Sequence, residues 1–144
     1  MSTRWGLTID CAHPGALAEF WALALGYVPA PVPAGFASWE EWLAHHEVPA
    51  AEWDDSAALA DPDGAGPSLS FLKVPEGKVA KNRVHIDVKA GGRELPHAQR
   101  WPLVLAAVER LTAAGAVVVQ VYSIGGRPDH VQLADPEGNE FCVV

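Results

Sequence analysis

Leu59-Ala-Asp-Pro-Asp-Gly64 returns later in the chain as Leu133-Ala-Asp-Pro-Glu-Gly138. Asp-Pro-x-Gly is turn chemistry, because Pro presets φ at one position and Gly accepts a positive φ at another. Such a turn needs extended chain on both sides. Residues 56–60 and 68–74 supply it in the first copy, and residues 130–134 and 140–144 in the second. Upstream, Leu7-Thr-Ile-Asp-Cys11 is echoed by Val84-His-Ile-Asp-Val88. Each copy also carries an amphipathic helix. Residues 14–25 place Leu17, Phe20, Trp21, Ala24 and Leu25 on one face, with Pro14 suited to the first turn and Gly26 to the stop. In the second copy Val104, Ala107, Val108 and Leu111 form the stripe and Gly115 ends it. The β-branched run at residues 117–121 predicts a buried strand. Each copy therefore reads β-α-β-β-β. The repeat predicts an α+β fold, a single domain of 144 residues with modules at residues 4–76 and 81–144.

The landmarks are unevenly spaced, which requires two insertions. The Trp-rich residues 35–53 follow the first helix, and residues 90–100 precede the second. Variable loops on a repeated frame are where binding specificity usually sits. Ser38-Trp-Glu-Glu41 fits a capping box and predicts a short helix reaching His45 or His46.

Composition narrows the function classes. Hydrophobic residues make up 49% and charged residues 19%, as in ordinary globular proteins. Eighteen acids against ten bases give a formal charge of −8 with no Lys/Arg run, which excludes a nucleic-acid partner and favours a cationic or neutral small molecule. No stretch reaches the length of a membrane span, and Met1-Ser-Thr-Arg-Trp5 leads into a strand without an apolar leader, so a cytoplasmic location with no membrane partner is expected. Cys11 and Cys142 lie near the chain ends without CxxC spacing, which points to neither a zinc knuckle nor a disulfide framework. Nucleophile-elbow, Walker and dinucleotide glycine motifs are absent.

The tandem β-α-β-β-β order combines with Phe20-Trp21, Ala24-Leu-Gly-Tyr27 and the closing Asp135-Pro-Glu-Gly-Asn-Glu-Phe-Cys-Val-Val144. In these features the chain resembles the vicinal-oxygen-chelate superfamily of glyoxalases, bleomycin-resistance proteins and extradiol dioxygenases, and within it the glyoxalase-like proteins of actinomycete type. The resemblance implies that each module curls into half of a cup, a curved mixed sheet with helices outside, that ligands bind inside the cup, and that the protein is a homodimer.

Strand alternation then sorts the side chains. Trp5, Leu7, Ile9 and Cys11 are expected under the helix, leaving Gly6, Thr8 and Asp10 in the cup. Val84, Ile86 and Val88 are likewise covered, leaving Arg83, His85 and Asp87. Ser68, Ser70 and Leu72 face inward, as do Glu140 and Cys142, with Phe141 and Val143 in the core.

Metal-using members of the superfamily take His, Glu or Asp from positions that match Gly6, Ser70, Arg83 and Cys142 here. Neither glycine nor a protonated guanidinium has a lone pair to give. The resemblance therefore implies a cup without the usual metal and no predicted cofactor. The fallback is a divalent metal on His85 and Glu140, joined by Asp10 or Asp87. Arg83 is also a candidate partner for Glu140.

Two readings follow. One is a metal-free binding protein of the bleomycin-resistance kind, holding a small aromatic or cationic guest between acids such as Asp10 and Asp87 and the indoles of Trp39, Trp42 and Trp53, with Thr8, Ser70 and Cys142 lining the site. In this reading the three indoles either roof the cup or pack at a subunit contact. The other is a lyase, isomerase or dioxygenase in which His85 is the acid/base, poised by Asp87 or Glu140, and Arg83 stabilises an enolate or carboxylate.

Overall fold

Residues 1–144 are described by a computed structural model, which divides into two units, Met1–Gly77 and Lys78–Val144. The first holds β1 (Gly6–Cys11), α1 (Pro14–Leu25), β2 (Val28–Pro29), α2 (Trp39–His45), a 3₁₀ turn (Ala50–Glu52), β3 (Ser56–Ala60) and β4 (Ser68–Lys73). Its sheet runs β1-β4-β3-β2, with β1 and β4 parallel and the other pairs antiparallel. The second holds β5 (Asp87–Val88), α3 (His97–Ala113), β6 (Val117–Ile124), β7 (Arg127–Ala134) and β8 (Glu140–Val143). Its sheet runs β5-β8-β7-β6, again with the first pair parallel. The fold is α+β, and the two units share one strand order.

Helix spacing and strand alternation explain both cores. In the first unit α1 packs on β3 and β4, burying Leu17, Phe20, Trp21 and Ala24 with Leu59, Leu69 and Phe71. In the second α3 packs chiefly on β7, burying Val104, Ala107 and Leu111 with Val131, Leu133, Phe141 and Val143. Each large apolar side chain buried in this way contributes about 1.5–3 kcal/mol relative to exposure.

The two Asp-Pro-x-Gly turns are built alike. Asp61 accepts hydrogen bonds from the backbone amides of Asp63, Ala65 and Gly66, and Asp135 accepts from those of Glu137 and Asn139. Gly64 (φ 67°) and Gly138 (φ 86°) sit in the left-handed region that the motif demands. The Asp61 amide bonds hold its carboxyl below the ordinary carboxylate range.

The capping box forms with one change. Ser38 Oγ accepts from Glu41 N at 3.1 Å, but the Glu41 carboxylate reaches back to Ala37 N rather than to Ser38 N. Ser38→Ala is expected to cost about 1 kcal/mol, read as a lowered urea midpoint with unchanged m.

Four expectations are corrected. Strand pairing begins at Gly6 and at Asp87, so Trp5 (65% exposed) and Val84 (67%) lie outside the ladders and are not covered by helices. Arg83 and His85 consequently precede β5 rather than lying on it. The run at residues 117–121 is not buried: β6 is the edge of its sheet and every residue in it is exposed. The second insertion ends early, because α3 starts at His97 with Pro96 as its N-cap residue. Pro102 sits inside that helix and deprives the Ala98 carbonyl of its intrahelical partner. Ala98 is exposed, so water can take that place. No helix is long and apolar enough to cross a membrane.

Candidate functional site

In the first unit, parallel pairing sets Gly6, Thr8 and Asp10 beside Ser68, Ser70 and Leu72, and β3 adds Ser56 and Ala58 to the same face. Leu7, Ile9 and Cys11 alternate to the more buried side. The face is small and polar, and Asp10, its single formal charge, makes no ion pair. Backbones come close here: a Cβ at Gly6 would lie 2.6 Å from Ser68 Oγ. A larger residue at this position therefore requires the serine to turn away.

The insertion residues Trp39, Trp42 and Trp53 are half-buried. Trp39 Nε1 donates to the Ala30 carbonyl at 3.1 Å and Trp53 Nε1 to that of Val48 at 3.0 Å. Trp42 meets Trp39 edge-on and lies 4.2 Å from the His46 ring. The Trp39 N–H thus ties the insertion to the segment that follows β2 and the Trp53 N–H ties it to its own backbone, and what they leave for a guest is ring surface.

In the second unit, cross-strand pairing sets Asp87, Cys142 and Gln132 in a row, with Gln120 beyond, and places Tyr122 opposite His130. An irregularity between Val118 and Gln120 re-aims the edge strand so that Gln120 and Tyr122 share this face. Tyr122 Oη donates to Gln132 Oε1 at 3.0 Å, and its ring stacks on His130 at 4.9 Å between centroids. His130 Nδ1 lies 2.9 Å from Asp129 Oδ2.

Glu140 sits at the end of the face, with Asn82 Oδ1 accepting its backbone N–H at 3.1 Å. Its carboxylate accepts a hydrogen bond from Lys81 and lies 3.6 Å from His85 Nε2, too far for a hydrogen bond. Lys81, not Arg83, is its ion-pair partner; Arg83 is exposed and forms no salt bridge. The Lys81 ammonium holds the Glu140 carboxyl below its ordinary range, and Glu140 raises Lys81 in return. Burial, and then the charge of Asp87, push the Cys142 thiol up, so at neutral pH it is a thiol and not a thiolate. Asp87 is exposed and makes no ion pair.

The structure thus brings His85, Asp87, Glu140 and Cys142 together in one unit, and Thr8, Asp10 and Ser70 on one face of the other. Sequence reasoning missed Lys81 and Tyr122. The Val-Gln-Val-Tyr run at residues 119–122 carried a signal, two polar groups two apart within a β-branched strand.

A divalent ion of the superfamily's kind finds no adequate donors. Gly6 and Arg83 offer none, which leaves Ser70 and Cys142 of the four matching positions, and in the fallback pair Glu140 is already bound by a cation that would repel a second one. No group of three or more His, Cys, Asp or Glu side chains comes together to hold a metal.

A family model described as a glyoxalase-like domain matches residues 6–144. The chain belongs to the glyoxalase-like domain family. Solved structures agree on the fold of this glyoxalase-like chain. A glyoxalase/bleomycin resistance protein/dioxygenase family enzyme from Burkholderia phytofirmans is 13% identical with a TM-score of 0.62, covering 98% of this chain and 97% of that one. A possible glyoxalase from Bacillus cereus is 17% identical with a TM-score of 0.61, covering 100% and 99%. A mutant of the fosfomycin resistance protein FosX from Listeria monocytogenes, complexed with Mn(II) and 1S,2S-dihydroxypropylphosphonic acid, is 11% identical with a TM-score of 0.60, covering 99% and 90%. No curated protein sequence matches the chain.

Proposed function

We propose that this glyoxalase-like protein binds a small aromatic, cationic molecule on its inner sheet faces without a resident metal. The observation that carries this reading is the contrast between two carboxylates on one face. Glu140 is neutralised by Lys81, whereas Asp87 has no cationic partner and shares its face with the stacked Tyr122–His130 pair. An ammonium group would satisfy Asp87, and an attached ring would find aromatic surface nearby. In the other unit Asp10 is an unpaired acid beside Thr8 and Ser70, so the two faces share this character.

Calorimetry with a panel of aromatic amines and their N-acetylated neutral analogues tests the reading. The amines should bind stoichiometrically and without turnover. Asp87→Asn should weaken them about tenfold, the value of one charge-assisted hydrogen bond. Chelator treatment should change nothing. Neutral analogues binding as well as the amines would refute it. Conversion of a ligand to product, lost in His85→Gln, would instead favour a lyase, isomerase or dioxygenase with His85 as the acid/base.

A further inference from the structure

The second unit has a hollow of about 260 Å³ lined by Arg93, His97, Arg100, Arg127, Asp129 and Ile124 among others. Three of the chain's ten basic residues thus face one space in a protein of formal charge −8. They are not there merely to neutralise acids, because the lining contains a single carboxylate. Asp129 is fully engaged: Oδ1 accepts from Arg100 at 2.8 Å, and Oδ2 lies 3.1 Å from Arg93 and 2.9 Å from His130. Its backbone carbonyl takes a second bond from Arg100. Three guanidinium groups against one carboxylate leave a surplus of two positive charges. Arg127 has no acidic partner, and Arg93 is 59% exposed.

A second feature adds to this surplus. The hollow lies at the N-terminus of the 17-residue α3, whose first turn contains no acidic residue and whose N-cap, Pro96, offers no capping side chain. The amides of His97 and Ala98 and the positive end of the helix dipole are therefore available to an anion, whereas those of Gln99 and Arg100 bond to the Pro96 carbonyl. His97 Nε2 donates to the Pro128 carbonyl at 2.7 Å and stacks on Trp101, which fixes its ring at the wall. The space holds several water molecules at about 30 Å³ each, enough for one small oxyanion.

We infer that the hollow formed by Arg93, Arg100, Arg127 and the N-terminus of α3 is a binding site for a small dianionic oxyanion of the phosphate class. Arg100 is locked by Asp129 and is the fixed wall. Arg93 and Arg127, the two exposed guanidinium groups, are the arms that meet the ligand.

Titration of inorganic phosphate into the full chain at low ionic strength tests this by calorimetry. One saturable site per chain is expected. Arg127→Ala and Arg93→Ala should each weaken it about tenfold, as loss of a charge-assisted hydrogen bond does. Arg110→Ala, which removes an exposed charge from the last turn of α3, should leave affinity within about twofold. Acetate should compete poorly, because one negative charge satisfies only half of the surplus. Absence of saturable binding, or an equal loss in the Arg110 variant, overturns the site. If an arginine variant fails to fold, amide NMR of the unmodified chain decides the matter. Phosphate must shift the signals of His97 and Arg127, and shifts confined to other regions overturn the inference.

Discussion

Asp129→Ala is expected to cost about 3–5 kcal/mol of folding stability, because it leaves the Arg100 guanidinium buried without its counter-charge. The side chains of the pair are only 6% and 11% exposed, and their contact is 2.8 Å. The loss would appear as a large fall in urea midpoint, with far-UV signal retained at zero denaturant if stability suffices. Replacing both partners, Arg100→Met with Asp129→Leu, should recover much of the loss, since the desolvation cost of both charges disappears together. The pH dependence has a definite sign. The hydrogen bond from His130, and then the charges of Arg93 and Arg100, hold the Asp129 carboxyl below the ordinary range against the opposing effect of burial. A depressed folded-state value means that its contribution is complete above the unfolded carboxylate value of about 3.9 and disappears as pH falls through the folded one. The acid-induced loss of stability should therefore be smaller in Asp129→Ala than in the unmodified chain.

That pair also marks where reading the sequence alone reaches its limit. The repeated Asp-Pro-x-Gly turns and the helix stripes fix the order β-α-β-β-β, because turn chemistry and 3.6-residue spacing are local properties. The strands at residues 56–60 and 68–73 follow from them directly. Residues 117–121 show what is not local: a β-branched run indicates a strand, but nothing in it tells a central strand from an edge. Here the strand pairs on one side only, and Val117, Val119 and Val121 are exposed. Ion-pair partners are equally non-local. Arg83 is the expected partner of Glu140, yet Lys81 reaches it, because pairing starts only at Asp87 and the preceding residues leave the strand line. Nothing local singles out Asp129, because its burial depends on Arg100, a residue that the sequence places in the insertion at residues 90–100 and the structure places in α3.

Phe141→Ala should be comparably costly, at about 3–5 kcal/mol, through lost transfer free energy and the cavity left behind. Phe141 has no exposed surface and pairs across the ladder with Leu133, which is equally buried. Beneath the sheet it shares the core with Val104 and Leu111 of α3. The substitution also tests how the face is held. Phe141 lies between Glu140 and Cys142, whose side chains alternate to the opposite side of the same short strand. Ladders to β5 and β7 hold this short strand on both sides, and burial of Phe141 is expected to add what keeps Glu140 near Lys81 and Cys142 beside Asp87. Phe141→Leu, which retains most of the volume, should lose much less stability and leave amine binding intact. In Phe141→Ala, held folded at low temperature, amine affinity should fall along with stability even though no group on the binding face has been altered. If affinity is unchanged while stability drops, the face is held by the ladder alone, and the core beneath β8 plays no part in positioning it.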